Sequence, residues 1–352
     1  MNELASPMTP GTLRLALGGV RITTRRRSVV ATGAVLLLTI GLVLLQLTTG
    51  SFPMPLSRVL ATLGGHGTAV EELAIYDLRL PRALTAVLAG AAFGASGAVY
   101  QSVTRNPLGS PDIIGFTYGA AFGAVFAIAV LGASDAAVTL AALAGGLGVA
   151  LVVYVLAFRG GVQGYRLILV GIGISAVLES FVSYLLLKAS IIDAQEAYTW
   201  LTGSLNGSDW TDVRVGLVGL VVLAPVVVGL GPGLRTAELG EDTARALGVS
   251  VGRDRMLALL VGAVLCAVAV ICAGPITFVS LAAPQIARRL GGSPTVAVIP
   301  SMALGALLMV LSDLLAQHVY PDSQLPVGVT TLALGGAYLA WLIAREGRNR
   351  IG

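Results

Sequence analysis

The sequence has little charge and few of the side chains that perform covalent or metal chemistry. Charged residues make up 11% of the 352 residues. The sequence contains one lysine, Lys188, two histidines and two cysteines. Because Lys188 lies outside any G-x-x-x-x-G-K-[ST] sequence, this chain cannot form a Walker-type phosphate loop. His66 and His318 stand alone, without the spacing of a metal site. We therefore expect no enzyme and no resident cofactor or metal here, and any use of ATP would fall to another chain.

Hydrophobic residues instead account for 56% of the sequence, in long runs rich in Ala, Leu, Val and Gly. This composition excludes an ordinary soluble domain, in which about a quarter of the residues are charged. A helix needs about 20 apolar residues to cross a bilayer, and in lipid only helices or closed barrels satisfy every backbone group. We predict an all-α polytopic membrane protein in which the 45 glycines allow close helix packing. Cys266 and Cys272 lie in one apolar run and are predicted core thiols.

Ten apolar segments are long enough to be spans, and both chain ends are predicted to be cytoplasmic. With that orientation 17 of the 22 lysines and arginines lie on the cytoplasmic side of a bacterial inner membrane, which satisfies the positive-inside rule. The net charge of +4 then reflects orientation and not nucleic-acid binding. Residues 1–27 are predicted to be a basic tail with no visible fold, 28–345 a single transmembrane domain, and 346–352 a second tail. The predicted spans are residues 28–49, 82–103, 113–133, 136–158, 167–189, 213–233, 256–273, 275–291, 295–316 and 327–344.

A polar island, residues 235–255, separates two uncharged stretches. It holds eight charged residues in 21, whereas residues 215–234 and 256–287 hold none. Within it, residues 241–247 are predicted to form a two-turn helix that begins with two acids and stops at Gly248. A helix this short needs the flanking spans or a partner to hold it. We interpret the island as a docking element, with a plain solvated loop as the alternative.

Two spans are followed by apolar sequence that proline and glycine interrupt. NPLGSPDIIGF (106–116) follows the second span and GPITFVSLAAPQIA (274–287) follows the seventh. If the ten spans divide five and five, these interruptions occupy corresponding places. That is the pattern of two inverted halves whose broken helices line a cavity. Proline kinks relieved by neighbouring helices are the alternative.

Arg79 and Arg82, in RLPR, are predicted to lie at a helix N-terminus on the outer side. Pro81 suits the first turn of a helix, and both the helix dipole and the positive-inside rule disfavour cations at such a place. The two arginines therefore need acidic partners. These are either the acids at 71, 72 and 77 or carboxylates of a delivered protein, which a guanidinium group binds in bidentate fashion.

Two acids lie within predicted spans. Asp313 is near an outer end, where it could reach water or cap a neighbour, and Glu179 is deeper. A carboxylate inside a membrane is a candidate for a proton relay, which would make the chain a proton-coupled secondary transporter. A protonated or hydrogen-bonded packing role is the alternative for Glu179. A passive channel would need neither a relay nor ATP.

Five stretches, in this order along the chain, resemble the FecCD-type permeases, the membrane subunits of ATP-driven importers for iron-siderophores, haem and cobalamin. The similarity extends from about residue 36 to 343. The stretches are RLPRALTAVLAGAAFGASGAVYQSVTRNPLGSPDIIGFTYGAAFGA (79–124), WLTGSLNGSDW (200–210), ELGEDTARALGVSVGRDR (238–255), GPITFVSLAAPQIARRLGG (274–292), and SDLLAQ with LPVGVTTLALGGAYLAWL (312–342).

The resemblance implies a ten-helix permease, most often for a ferric siderophore, with haem or cobalamin as alternatives. It implies four partners besides the lipid bilayer: two ATPase subunits that bind ATP and Mg²⁺, a second permease subunit, identical or homologous, and an extracytoplasmic substrate-binding protein. On the family's pattern Arg79 and Arg82 receive carboxylates of the binding protein. The residues near the cytoplasmic gate would be Asn106, Leu108, Gln163, Gly164 and Tyr165. Those coupled to the ATPase would be Glu238, Leu239, Gly240, Asp242, Ala244, Leu247, Gly248 and Val249.

The sequence departs from the family's pattern at two outer positions. Gln317 replaces a third docking arginine, and Gln324 replaces an acid before the LPVG run. These departures weaken symmetrical docking and would suit a heterodimer in which the partner permease supplies the stronger contacts. Glu179 is also not expected from the family.

Overall fold

The computed structural model describes residues 12–17, 20–50, 52–158, 164–238, 241–248, 250–292, 297–319 and 325–351. Within these ranges each of the ten predicted spans coincides with a helix, which confirms the all-α membrane architecture. The ten helices are α1 (Arg26–Thr48), α4 (Leu80–Thr104), α5 (Phe116–Ala129), α6 (Asp135–Ala157), α7 (Gly164–Lys188), α9 (Trp210–Glu238), α11 (Val251–Ala273), α12 (Val279–Gly291), α13 (Val298–His318) and α14 (Val327–Ile351).

Seven of the described helices are long and apolar enough to cross a bilayer. The apolar parts of α5 and α14 are shorter, and α12 has 13 residues. Four short helices connect the others: α2 (Leu56–Leu63), α3 (Ala69–Glu72), α8 (Ile191–Thr202) and α10 (Glu241–Ala246). Cys266 and Cys272 are buried and free, as predicted for core thiols.

Two strands within the N-terminal segment were not predicted from its sequence. We predicted no fold for residues 1–27, but strands β1 (Thr12–Leu17) and β2 (Val20–Arg25) form an antiparallel hairpin that leads directly into α1. Alternating apolar and polar residues in LRLAL and VRITTR provide the period-two pattern of such a hairpin. Arg27 then donates to the backbone oxygen of Leu290 (2.9 Å) and fastens the start of α1 to the end of α12.

The helical run that contains Arg79 and Arg82 starts earlier than predicted. It begins at α3, where Thr68 and Glu71 form a capping box, passes through a π-helical segment (Leu73–Arg79) and continues as α4. Proline has no N–H and clashes with the carbonyl four residues earlier, so the wider π turn accommodates Pro81 inside a continuous helix. The prediction that both arginines lie at a helix N-terminus was therefore wrong.

Helix α4 is the centre of the bundle, packed against α9, α11, α12 and α13. It crosses α13 at short range: a Cβ on Gly305 would lie 2.0 Å from the backbone oxygen of Gly90, and a Cβ on Gly90 would lie 2.4 Å from that of Gly305. Any side chain at either position would separate the two backbones. A second crossing of this kind joins Gly119 of α5 and Gly145 of α6. The glycines thus act as small-residue contacts between helices.

Candidate functional site

Arg82 and Asp313 form a buried ion pair at the end of the bundle that is predicted to face outward. Arg82 of α4 donates to both carboxylate oxygens of Asp313 on α13, with Nη2 2.8 Å from Oδ1 and Nε 3.0 Å from Oδ2. The Asp313 side chain is fully buried and that of Arg82 is 13% exposed. Gln46 of α1 and Gln317 also donate to Asp313. The network therefore ties α1, α4 and α13 together.

Arg79 has a different environment, made of backbone carbonyls. Its guanidinium group donates to the backbone oxygen of Leu47 (2.6 Å), in the last turn of α1, and to that of Phe52, in the connection between α1 and α2. Among the described residues the two ion pairs are Arg82 with Asp313 and Arg58 with Glu71. The positive charge of the half-buried Arg79 is therefore not balanced by a carboxylate in that part of the chain.

These contacts correct two interpretations made from the sequence. The acids at 71, 72 and 77 do not hold the arginines, because Glu71 pairs with Arg58 and Arg82 pairs with an acid 231 residues away. Asp313 does not reach water, since its side chain has no exposed area. Gln317, the residue that departs from the family's pattern, lies in this network; Gln324 lies outside the described residues.

The two interrupted stretches meet inside the bundle. Helix α5 begins after Gly115 (φ +92°) and α12 begins after Phe278 (φ +70°), and Ser280 of α12 donates to Asp112 (3.0 Å), just before α5. Thr117 also donates to Asp112. A carboxylate between two helix N-termini is favoured by both helix dipoles. The matched interruptions therefore mark two short helices, α5 and α12, whose N-terminal ends meet at Asp112.

The loop between α4 and α5 is bound to α12 at a second point. Gln285 donates to the backbone oxygen of Pro107 (2.7 Å), and the side chain of Asn106 accepts from the N–H of Leu108 (2.9 Å) in a tight turn. Asn106 is half-buried and Leu108 is 48% exposed. Asn106 and Leu108, two of the predicted gate residues, thus lie in a turn that is hydrogen-bonded to α12.

The other predicted gate residues lie at the start of α7. Gly164 is its first residue, Tyr165 has 76% of its surface exposed, and Gln163 lies outside the described residues. Because α4 ends and α7 begins at the same end of the bundle, both parts of the predicted gate belong to that end.

The polar island folds largely as predicted. α9 extends to Glu238, α10 forms the short helix, Leu247 continues it as a turn, and Gly248 takes the left-handed conformation (φ +79°) that ends it. Leu247 is 65% exposed. Leu239, Gly240 and Val249 lie outside the described residues, and the side chains of Glu238 and Asp242 are not described.

One proposed coupling residue lies on the wrong face. Ala244 has no exposed surface, and α10 packs against α9 and α11. Its side chain therefore supports α10 from within the chain and cannot contact another protein. Leu247, three residues later, is on the exposed side.

Three of the motif stretches meet at the Arg79 end of the bundle. A Cβ on Gly328 would lie 1.6 Å from the backbone oxygen of Thr202, and a Cβ on Gly274 would lie 2.8 Å from the Cα of Gly203. Close by, the backbone N–H groups of Thr211 and its neighbour donate to Asp209 and hold the pKa of that carboxyl below its usual range. The motifs thus contain packing sites that fix the ends of α8, α11 and α14.

Sequence reasoning missed Asp112 and Gln46. Asp112 lies within the interruption that drew attention, and an acid just before a helix is a recognisable N-terminal signal. Gln46, a buried amide in an otherwise apolar span, has no such signal, because its partner Asp313 is 267 residues away.

Comparison with known proteins gives a consistent picture. Residues 36–345 match the model of the FecCD transport family. The ferric enterobactin transport system permease protein FepG of Escherichia coli K12 is 43% identical over 304 residues, covering 86% of this chain and 92% of FepG. The probable siderophore transport system permease protein YfhA of Bacillus subtilis is 38% identical over 320 residues, covering 89% and 91%.

Solved structures show the same fold. A metal-chelate type ABC transporter in an inward-facing conformation has a TM-score of 0.80 at 28% identity, covering 89% of this chain and 98% of that chain. PsaBC from Streptococcus pneumoniae has a TM-score of 0.54 at 15% identity, a similarity of fold alone.

Proposed function

The chain belongs to the FecCD transport family, and we propose that it is the membrane permease of an ATP-driven importer that carries a ferric siderophore across the inner membrane. The observation that carries this proposal is the similarity, over most of both chains, to siderophore permeases and to a metal-chelate transporter. Haem and cobalamin are the alternative cargoes from the same family. In this proposal both termini are cytoplasmic, and a substrate-binding protein delivers cargo to the Arg79 end.

The proposed importer contains two ATPase subunits and a second permease, identical or homologous. We propose that α10 and its flanking residues enter a groove on the ATPase. The support is the charged island between two uncharged stretches, together with an exposed leucine at the end of a short helix held by α9 and α11. ATP binding would then move α10 and the helices attached to it.

We propose that the short helices α5 and α12 form the centre of the moving part. Broken helices are tolerated at membrane depth only where they line a cavity or are buried in protein. The bonds of Asp112 with Ser280 and of Gln285 with Pro107 link the two halves at that level. Rocking of one half against the other would open the path alternately to either side.

For the binding protein, the structure favours Arg79 over Arg82. Using Arg82 for docking would break a buried pair, which costs about 3–5 kcal/mol. Arg79 is half-buried and forms no ion pair with a carboxylate of the described residues. We expect Arg79→Glu to weaken association with the binding protein and its stimulation of ATPase activity; the control Arg58→Glu, at the same end, should retain most of both.

Reconstitution tests the proposal directly. The chain, a partner permease and the ATPase would be placed in proteoliposomes with the binding protein and an ⁵⁵Fe-labelled siderophore. We expect uptake that requires ATP and is insensitive to a pH gradient. Uptake driven by a pH gradient without the ATPase would indicate a secondary transporter, and flux with neither energy source a channel; either result would overturn the proposal.

A further inference from the structure

One polar stripe on α7 has no role in the function proposed so far. Gly171, Ser175, Glu179 and Ser183 are four residues apart and therefore follow one side of the helix. The stripe begins against the interrupted segment before α5, since a Cβ on Gly171 would lie 2.6 Å from the backbone oxygen of Ile113. It then rises along the open side of the helix, where Glu179 and Ser183 are exposed.

Glu179 lies near the middle of its span. It follows the start of α7 by 15 residues and precedes its end at Lys188 by nine, which at 1.5 Å per residue is about 22 Å and about 14 Å. A charged side chain that faces lipid at this depth is strongly disfavoured, and acids in spans face a bundle interior or a water-filled cavity. Because Glu179 is on the exposed surface of this bundle, its surroundings must come from outside the described chain.

A second copy packed directly on the stripe would not satisfy the carboxylate. Every lysine and arginine of the sequence lies near the end of a span or outside the spans, and Arg82, which is near an end, is paired with Asp313. Ser175, one turn before Glu179, is 8% exposed, and its hydroxyl has no hydrogen-bond partner among the described residues. Water can satisfy the exposed carboxylate of Glu179, whereas an apolar interface cannot.

We propose that this stripe borders a water-filled path, with the carboxylate of Glu179 facing the cargo near mid-membrane. The proposal deepens the proposed function and rests on it. A fixed negative charge at this point favours chelates that are neutral or cationic and that present ammonium or N–H groups. It repels chelates with a net negative charge. Glu179 would therefore set the charge class of the cargo that passes through the permease.

Thiol chemistry tests the proposal in the assembled importer. With both native cysteines replaced by alanine, Ser183→Cys places a thiol one turn from Glu179. Reaction rates would be measured with a cationic and an anionic methanethiosulfonate, each corrected for its rate with a free thiol. We expect both to react and the cationic reagent to be several-fold faster. Adding Glu179→Gln should bring the two corrected rates together. A matched control, Leu37→Cys on the exposed face of α1 (72% exposed), should react only with a neutral maleimide.

Two results would overturn the proposal. Protection of the introduced thiol at position 183 from both charged reagents would mean that lipid or protein covers the stripe. Equal corrected rates that Glu179→Gln leaves unchanged would mean that the carboxylate exerts no field on the path. The proposed function is tested separately, by the energy source of uptake in the chain with native Glu179. ATP-independent uptake would refute the importer. The ratio of the two labelling rates would still show whether Glu179 faces a water-filled path.

Discussion

The ion pair between Arg82 and Asp313 should be a major source of stability at the Arg79 end of the bundle. Replacing Arg82 by Gln leaves a fully buried carboxylate with only amide donors, Gln46 and Gln317. Two unit charges about 3 Å apart attract each other by about 5 kcal/mol at an effective dielectric constant of 20. Removing one partner of such a buried pair typically destabilises a protein by about 3–5 kcal/mol. We expect Arg82→Gln and Asp313→Asn each to lower the free energy of unfolding by that amount.

The double variant distinguishes pairing from packing. With both charges removed, the remaining amides can bond to one another, and no unpaired charge is buried. We therefore expect the double variant to lose less than the sum of the single losses, with a coupling energy of at least about 2 kcal/mol. The measurement is equilibrium unfolding in mixed detergent micelles, followed by circular dichroism. Arg58→Gln is the matched control: it breaks the pair of the 45% exposed Arg58 with Glu71, and because Glu71 keeps its bond from the Thr68 N–H, the effect should be smaller.

Strict additivity of the two single losses would refute this reasoning. So would an effect of Arg82→Gln no larger than that of Arg58→Gln. In either case Arg82 would be available for docking, and the preference for Arg79 would lose its basis.

Three further predictions concern packing, the link between the halves, and coupling. Gly305→Ala should lower the unfolding free energy by about 1–3 kcal/mol through overpacking against α4. Gly336→Ala, with no atom within 4 Å of its Cβ, should leave the unfolding free energy unchanged. Equal effects of the two substitutions would contradict the close crossing of α4 and α13. Ser280→Ala should cost about 1.5–3 kcal/mol, the value of a hydrogen bond to a charged group, and an unfolding curve identical to that of the unsubstituted chain would exclude the bond with Asp112. Leu247→Asp should reduce siderophore uptake per ATP hydrolysed. The control Leu131→Asp changes a similarly exposed leucine at the other end of the bundle and should leave that ratio unchanged. Normal uptake in Leu247→Asp would show that α10 does not couple ATP hydrolysis to transport.

The sequence predicted the spans and the short helix α10 because these follow from local patterns. A span requires a long apolar run, and α10 has acids at its start and Gly248 at its end. The interruptions were also visible, since proline and glycine act on the backbone next to them. In each case the relevant interactions lie within a few residues along the chain.

Partners that lie far apart in the sequence were not predictable in this way. Arg82 and Asp313 are separated by 231 residues, and upstream acids offered an equally good explanation for the arginine. The buried side of α10 was missed for the same reason, because a six-residue helix has too few positions to show which face the flanking spans cover. Ala244 was therefore assigned to the surface, and only the packing of α10 on α9 and α11 corrected this.

The central claim is that this permease is driven by a separate ATPase that contacts α10 on the cytoplasmic side. It is tested most directly by placing a photoreactive amino acid at position 247 and irradiating the assembled importer. The account predicts a crosslink to the ATPase subunit whose yield changes when ATP binds. A crosslink to the substrate-binding protein instead, or labelling of position 247 by an impermeant reagent added outside intact cells, would contradict it.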